Sequence, residues 1–276
     1  GIESDLTAVR ITDEHYRLFV GTTAIRRDIA WLKRHLGDDR VTLRDSTEEF
    51  AVIGLMGPNA ADIARRVGAS ELTDLDYFRV GEAEIAGAHV RAVRLSYVGE
   101  AGWEITCRAA NAPKIYDALY AQGARPAGAY AQTSMRIEKR FLSYGHDLDT
   151  DISPLEAGLG FAIAWQSDFV GREAIERQRD EGRANRVVSL ILEDPDANPL
   201  GNELVRFNGA IAGKTTSAAF GYRLGRPVAL ADLSLSDARV AQSEVEISIA
   251  GRSYAARVST AAAFDPKGVR MRTGSN

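Results

Sequence analysis

The chain has 276 residues, 45% of them hydrophobic, enough for one large domain or two ordinary ones that each bury a core. A net charge of −4 with arginines scattered among acids gives no basic stripe for nucleic acid, and no apolar run is long enough for a membrane span. The single cysteine, Cys107, forbids an intrachain disulfide and is the expected mark of a reducing compartment, the cytoplasm or a mitochondrial matrix.

Strands are predicted over residues 6–11 and 17–20. Within residues 23–36, Ile25, Ile29, Leu32 and Leu36 fall on one helical face, and Gly37 stops the helix. Residues 50–55 read as a buried strand, and Gly57-Pro58-Asn59 opens a helix with Ile63 and Val67 on one side. Val90-Arg91-Ala92-Val93-Arg94-Leu95 alternates apolar and basic residues as a half-buried strand does, and Gly99 and Gly102 break the chain just after it. Asn111 and Pro113 start a helix that runs through Leu119 to Gly123, and residues 127–141 read as another. From Arg186 the pattern changes to short strands: 187–192, 204–207, 210–215, 228–233, 245–249 and 254–258. Asn208-Gly209 is a two-residue hairpin turn, since both positions of a type I′ turn need positive φ. The charged stretch 177–185, with a turn at Asp180-Glu181-Gly182, is the expected boundary. The chain is thus expected to hold an α+β domain with antiparallel sheets over residues 1–184 and a small all-β barrel over residues 185–276.

The run Tyr97-Val98-Gly99-Glu100-Ala101-Gly102-Trp103-Glu104 places an aromatic hydroxyl and a carboxylate on a glycine-broken turn at a strand end, which suits a flat polar ligand. The residues alone also allow Tyr97 as a core tyrosine, Glu104 as an exposed strand acid and Asp5 as a cap or surface acid. His15, His35, His89 and His146 show no metal-type spacing, so no metal is expected. No Gly-x-Gly-x-x-Gly fingerprint for a dinucleotide follows a strand. Cys107 sits in an alternating strand as a core residue, and Gly221-Tyr222-Arg223-Leu224-Gly225 reads as an inter-strand turn.

The Tyr97 to Glu104 run resembles the Tyr-x-Gly-Glu-x-Gly-aromatic-Glu signature of the folate-dependent aminomethyltransferases of the glycine-cleavage type. Gly1-Ile2-Glu3-Ser4-Asp5-Leu6-Thr7 resembles the acidic folate-site segment in the form carried by dimethylglycine and sarcosine dehydrogenases. Ser134-Met135-Arg136-Ile137-Glu138-Lys139, Ser153-Pro154-Leu155-Glu156-Ala157-Gly158-Leu159-Gly160, Asp168-Phe169-Val170-Gly171-Arg172-Glu173-Ala174 and Phe264-Asp265-Pro266-Lys267-Gly268 follow in the family's order.

The resemblance implies that Asp5 is the catalytic carboxylate beside the reactive nitrogens of tetrahydrofolate, ionised at neutral pH. It also implies that Glu104 accepts the adjacent N–H groups of the pterin and that Tyr97 lines the pocket, with Trp103 a packing residue. It implies capture of the methylene unit of an oxidised N-methyl amine, of dimethylglycine or sarcosine type, as 5,10-methylenetetrahydrofolate. FAD is then expected on a separate domain of a longer chain or on a partner, and the start of the first module would be missing here. The alternatives are a self-standing folate-dependent aminomethyltransferase or demethylase, and a non-catalytic folate-binding scaffold. Two departures bear on these. Gln132 stands where the glycine-cleavage enzymes carry a folate-contacting arginine, which favours the dehydrogenase branch and leaves the folate tail without that partner. Asp168 stands where the scaffold relatives carry cysteine, which disfavours the scaffold.

Overall fold

A computed structural model describes residues 1–234 and 244–273. In chain order its elements are β1 (Leu6–Arg10), β2 (Tyr16–Val20), α1 (Ile25–His35), β3 (Phe50–Met56), α2 (Ala60–Arg66), β4 (Val80–Ile85), β5 (Ala88–Arg94) and β6 (Gly102–Arg108). Then come α3 (Ala112–Ala121), α4 (Ala129–Glu138), α5 (Arg172–Glu181), β7 (Arg186–Leu192), β8 (Leu204–Phe207), β9 (Ala210–Gly221), β10 (Arg226–Leu233), β11 (Glu244–Ile249) and β12 (Arg252–Ser259). A short helix, Val269–Thr273, follows. The chain forms two compact units, neither continuous in sequence: Gly1–Thr7, Phe19–Ala24 and Thr133–Pro266 make the first; Ala8–Leu18, Ile25–Gln132 and Lys267–Asn276 make the second. No helix among the described residues is long and apolar enough to cross a membrane.

The second unit is built on an antiparallel sheet of order β3-β6-β5-β4. One face, with Leu55, Ala92, Trp103, Ile105 and Cys107, packs against Ile63 of α2 and Ile115 and Leu119 of α3. The period-two alternation of these strands is what makes one face apolar and leaves the other to charged and small residues. β4 escapes sequence prediction because Val80-Gly81-Glu82-Ala83-Glu84-Ile85 is an edge strand with alternating exposure and two acids.

In the first unit the strands close as β10-β7-β12-β11-β8-β9, an antiparallel barrel filled by Val188, Leu190, Leu192, Val205, Leu233, Val245 and Ile247. The α+β class with antiparallel sheets and a terminal all-β barrel is therefore the observed fold. Three differences from the expected elements have local causes. β9 runs on to Gly221, because Ser217, Ala218 and Ala219 pair with Leu230, Ala229 and Val228 of β10 as small residues that show no apolar alternation. The expected helix 127–141 stops at Glu138, since Arg140 adopts φ +55° and Phe141 N–H bonds back to the Arg136 carbonyl at 2.8 Å. Half of the expected boundary stretch is helical, as α5 continues to Glu181 and ends where Gly182 takes φ +94°.

α4 carries the signature charges Arg136 and Glu138, and the residue after it Lys139, into the interior of the first unit. Ile137 of the same helix packs with Val187, Val228 and Leu230 on the outside of the barrel strands. Arg136 pairs with Asp147 and donates to Ser217 Oγ at 2.8 Å; the two charged residues are 3% and 1% exposed. Glu138 accepts from Arg223 Nε at 2.6 Å and from the backbone N–H groups of Arg223 and Leu224 at 2.8 and 3.1 Å. Lys139 meets the Asp265 carboxylate at 3.1 Å. Removing one partner of such a pair leaves a buried charge uncompensated, at a cost of about 3–5 kcal/mol. Asp147→Ala is accordingly expected to lose that much stability in urea titration, and Asp147→Leu combined with Arg136→Met to recover most of it.

Candidate functional site

The loop between β5 and β6, in the second unit, carries the signature run. Ser96 Oγ accepts from the backbone N–H groups of Val98 and Gly99 at 3.3 and 3.1 Å, closing a tight turn. Gly99 sits at φ +78°, a left-handed conformation that suits glycine. Gly102 is required by close approach, because a Cβ there would lie 2.3 Å from the Leu55 carbonyl oxygen. Gly57 N–H bonds to the Ala101 carbonyl at 2.9 Å, so the end of the loop is tied to the end of β3.

Two long-range interactions that sequence reasoning missed hold this loop. Glu100 accepts from Arg270 Nε at 3.0 and 3.2 Å, linking the loop to the helix Val269–Thr273. Arg94, buried at the end of β5, donates to the carbonyls of Leu75 at 3.0 Å and of Arg272 at 2.9 Å. No local pattern announces either, since partners 170 and 178 positions apart leave no trace in a window of sequence.

Glu104 lies on β6 between Gly54 of β3 and Val93 of β5, on the face opposite the core. It is half-buried and has no hydrogen-bond or ion-pair partner among the described residues. Desolvation by burial raises its carboxyl above the ordinary glutamate range. Gly54 leaves open space beside it, with only the tip of the Met56 side chain at 3.8 Å from where a Cβ would be. Tyr97, half-buried, belongs to the same loop. Trp103 faces the core, where its Nε1–H donates to the Leu72 carbonyl at 2.9 Å.

Asp5 belongs to the first unit. The segment before it is anchored by Ile2 N–H, which bonds to the carbonyls of Asp149 and Ile152, both at 3.0 Å. Asp5 itself is exposed by area, yet desolvation by the protein around it raises its pKa above the usual aspartate value. An open concavity of about 640 Å³, lined by Asp168, Phe169, Gly171, Arg172 and neighbours at the start of α5, contains none of the three candidate residues.

Residues 1–167 match the family model described as the GCVT N-terminal domain, and residues 185–265 match the glycine cleavage T-protein C-terminal barrel domain. The chain is 29% identical over 265 residues to mitochondrial dimethylglycine dehydrogenase of Homo sapiens, covering 92% of this chain and 30% of that protein. It is 36% identical over 201 residues to an aminomethyltransferase of Bacillus pumilus, covering 70% of this chain and 55% of that protein. It therefore spans less than two thirds of either relative. The crystal structure of the glycine cleavage system aminomethyltransferase T from Bartonella henselae superposes with a TM-score of 0.84 at 22% identity, covering 99% of this chain and 74% of that one, which establishes a shared fold.

A raised carboxyl pKa has a defined sign for stability. The contribution of Glu104 is full below the unfolded glutamate value of about 4.3 and is lost as the pH rises through the higher folded value. Glu104→Gln keeps the shape and removes the ionisation. Its melting temperature is expected to exceed that of the wild type near pH 7 and to converge with it near pH 4.

Proposed function

The chain belongs to the glycine cleavage T-protein family of aminomethyltransferases, and on that premise we propose that it binds tetrahydrofolate at Tyr97 and Glu104 and works in one-carbon transfer with Asp5 as the acid–base group. The observation that carries this reading is Glu104: a half-buried, desolvated carboxylate on an open part of a sheet face, with no partner among the described residues. A carboxylate in that state is an acceptor in need of donors, and the adjacent ring and amino N–H groups of a pterin present two in parallel. The residues present therefore fit the group.

Glu104 would hold the pterin edge, and Tyr97, on the braced loop, would add an aromatic surface and a hydroxyl. When bound, tetrahydrofolate supplies the nucleophilic nitrogen that takes up a one-carbon unit. Asp5 accepts the proton that this nitrogen gives up and, as an anion, stabilises positive charge developing there. Its raised pKa brings its basicity closer to neutral pH, which favours the proton-accepting role.

For the donor, we favour an oxidised N-methyl amine of the dimethylglycine or sarcosine type, with the flavin that performs the oxidation on another domain or a partner. The supports are the 29% identity to a dimethylglycine dehydrogenase across 92% of this chain and the presence of Gln132 in place of a folate-contacting arginine. Capture by a nucleophile held close competes with loss of the unit to water. A self-standing aminomethyltransferase is the second reading, supported by the 36% identity to the Bacillus pumilus enzyme.

Removing a charged acceptor costs about 1.5–3 kcal/mol. Glu104→Ala is thus expected to weaken reduced-folate binding, measured by calorimetric titration, by roughly tenfold to a hundredfold. Unchanged affinity would exclude the assigned pocket. Asp5→Asn keeps shape and loses the basic site. Coupled to a flavoprotein that oxidises dimethylglycine, it is expected to form methylenetetrahydrofolate about a hundredfold more slowly, with a much smaller change in folate affinity. A wild-type rate would make Asp5 a structural residue, and no methylenetetrahydrofolate from the wild-type chain under these conditions would favour the second reading.

A further inference from the structure

Between Ala92 and Cys107, a stretch described throughout, every residue is buried except Tyr97 and Glu104. Glu104 is held by the sheet, since β6 has a strand paired on either side of it. Tyr97 lies outside the strands, in the loop between β5 and β6, so its position depends on how that loop is fastened.

Two of its fastenings lead to one short helix. Arg94, the last residue of β5, stands three residues before Tyr97, and Glu100 stands three residues after it. Glu100 accepts from Arg270 Nε at 3.0 and 3.2 Å, and Arg94 Nη2 donates to the Arg272 carbonyl at 2.9 Å. Tyr97 is thus the midpoint of an arch whose two feet rest on residues 270 and 272 of the helix Val269–Thr273. The Arg94 foot is anchored further: Nη1 donates to the Leu75 carbonyl at 3.0 Å, and the guanidinium lies 5.7 Å from the centre of the buried Trp103 ring.

A helix of five residues does not persist by itself in water, so this one exists because it is docked. A carboxylate meets its first turn and a guanidinium meets a carbonyl of its last turn, the polarity that the helix dipole favours. Met271, between the two contacts, is buried. In sequence the helix follows the barrel, yet it belongs to the same compact unit as the loop.

We propose that Arg270 and Glu100 are positioning residues for the ligand: together with Arg94 they fix the span of the arch, and so the place and direction of the Tyr97 ring, before the ligand arrives. The inference rests on Tyr97 as part of the tetrahydrofolate site. Fastening acts on affinity because a loose loop loses conformational freedom on binding, whereas a fastened one has lost it already. The guanidinium is planar and directional, and an ammonium in its place would keep the charge without the direction.

The test is a double-mutant cycle joined to a spectroscopic reading of Tyr97. By calorimetric titration with tetrahydrofolate, affinity is expected to fall about tenfold in Arg270→Gln and in Glu100→Gln, the scale of one charge-assisted contact, and by less in Arg270→Lys. In a Tyr97→Ala background Arg270→Gln is expected to change affinity little, because its effect runs through Tyr97; a general loss of stability would not show that coupling. In protein labelled with fluorotyrosine, the fluorine NMR signal that vanishes in Tyr97→Phe is expected to shift or broaden in Arg270→Gln. The signals of Tyr116 and Tyr120 on α3 are expected to keep their wild-type positions, which shows that the second unit is folded; where the glutamine variant unfolds it, Arg270→Lys makes the same comparison. If the wild-type chain binds no tetrahydrofolate but the Tyr97 signal still moves in Arg270→Gln, the folate reading fails and the fastening of Tyr97 stands. An unmoved Tyr97 signal, or a full affinity loss from Arg270→Gln in the absence of Tyr97, overturns the proposal.

Discussion

Burial of three ions at the end of one helix is the constraint from which the first unit takes its geometry. Arg136 and Glu138 of α4 and Lys139 just after it are all buried, and a buried charge is tolerated only when paired and hydrogen-bonded. Their partners come from the loop at Asp147, the β9–β10 turn at Arg223 and the segment at Asp265. Each pair therefore fixes a distant stretch of chain against the same helix. Arg223 also lies over the Phe264 ring at 3.9 Å, so the partners of Glu138 and Lys139 are themselves in contact through the residue next to Asp265. Replacing these ions by apolar residues of similar volume would give burial without direction; the ions specify which segments meet.

The same physics separates the acids of the second unit by role. Glu100, in the signature loop, is satisfied by Arg270, and Glu82 on the open face is satisfied by Arg91. Glu104 stands four residues from Glu100 without a partner among the described residues and with its ionised form disfavoured by burial. Within one short motif one carboxylate is thus paired inside the chain and the next is not, and that contrast is what supports the proposal of Glu104 as an acceptor for an outside donor.

What the sequence made legible followed from period and punctuation. α1, β3, β5 and the barrel strands carry strong apolar alternation, and the loop at Tyr97 is contiguous, so its residues could be found together. What stayed hidden was of two kinds. Some was local but weakly patterned: the small-residue half of β9, the acidic edge strand β4, and the stop of α4 at Arg140, whose positive φ no arginine announces. The rest was long-range. Arg136, Glu138 and Lys139 were recognisable as a motif, but their use as buried cross-links depends on partners at 147, 223 and 265 that no window contains. The stacking of Arg17 and Arg108 on the Phe50 ring likewise joins positions that no window contains.

The strand β6 joins packing to recognition. Its core-facing column is Trp103, Ile105 and Cys107; its outward column is Glu104, Thr106 and Arg108. A slip of one residue would exchange the columns, putting a glutamate and an arginine into the core. Two features prevent the slip: Trp103, whose ring is buried and whose Nε1–H is bonded to Leu72, and Gly102, whose bare Cα fits against the Leu55 carbonyl where any side chain would clash. Both belong to the signature run and neither contributes a side chain to the outward face. The glycine and tryptophan of the motif thus act through register: they hold Glu104, Thr106 and Arg108 in one column on the face opposite the core.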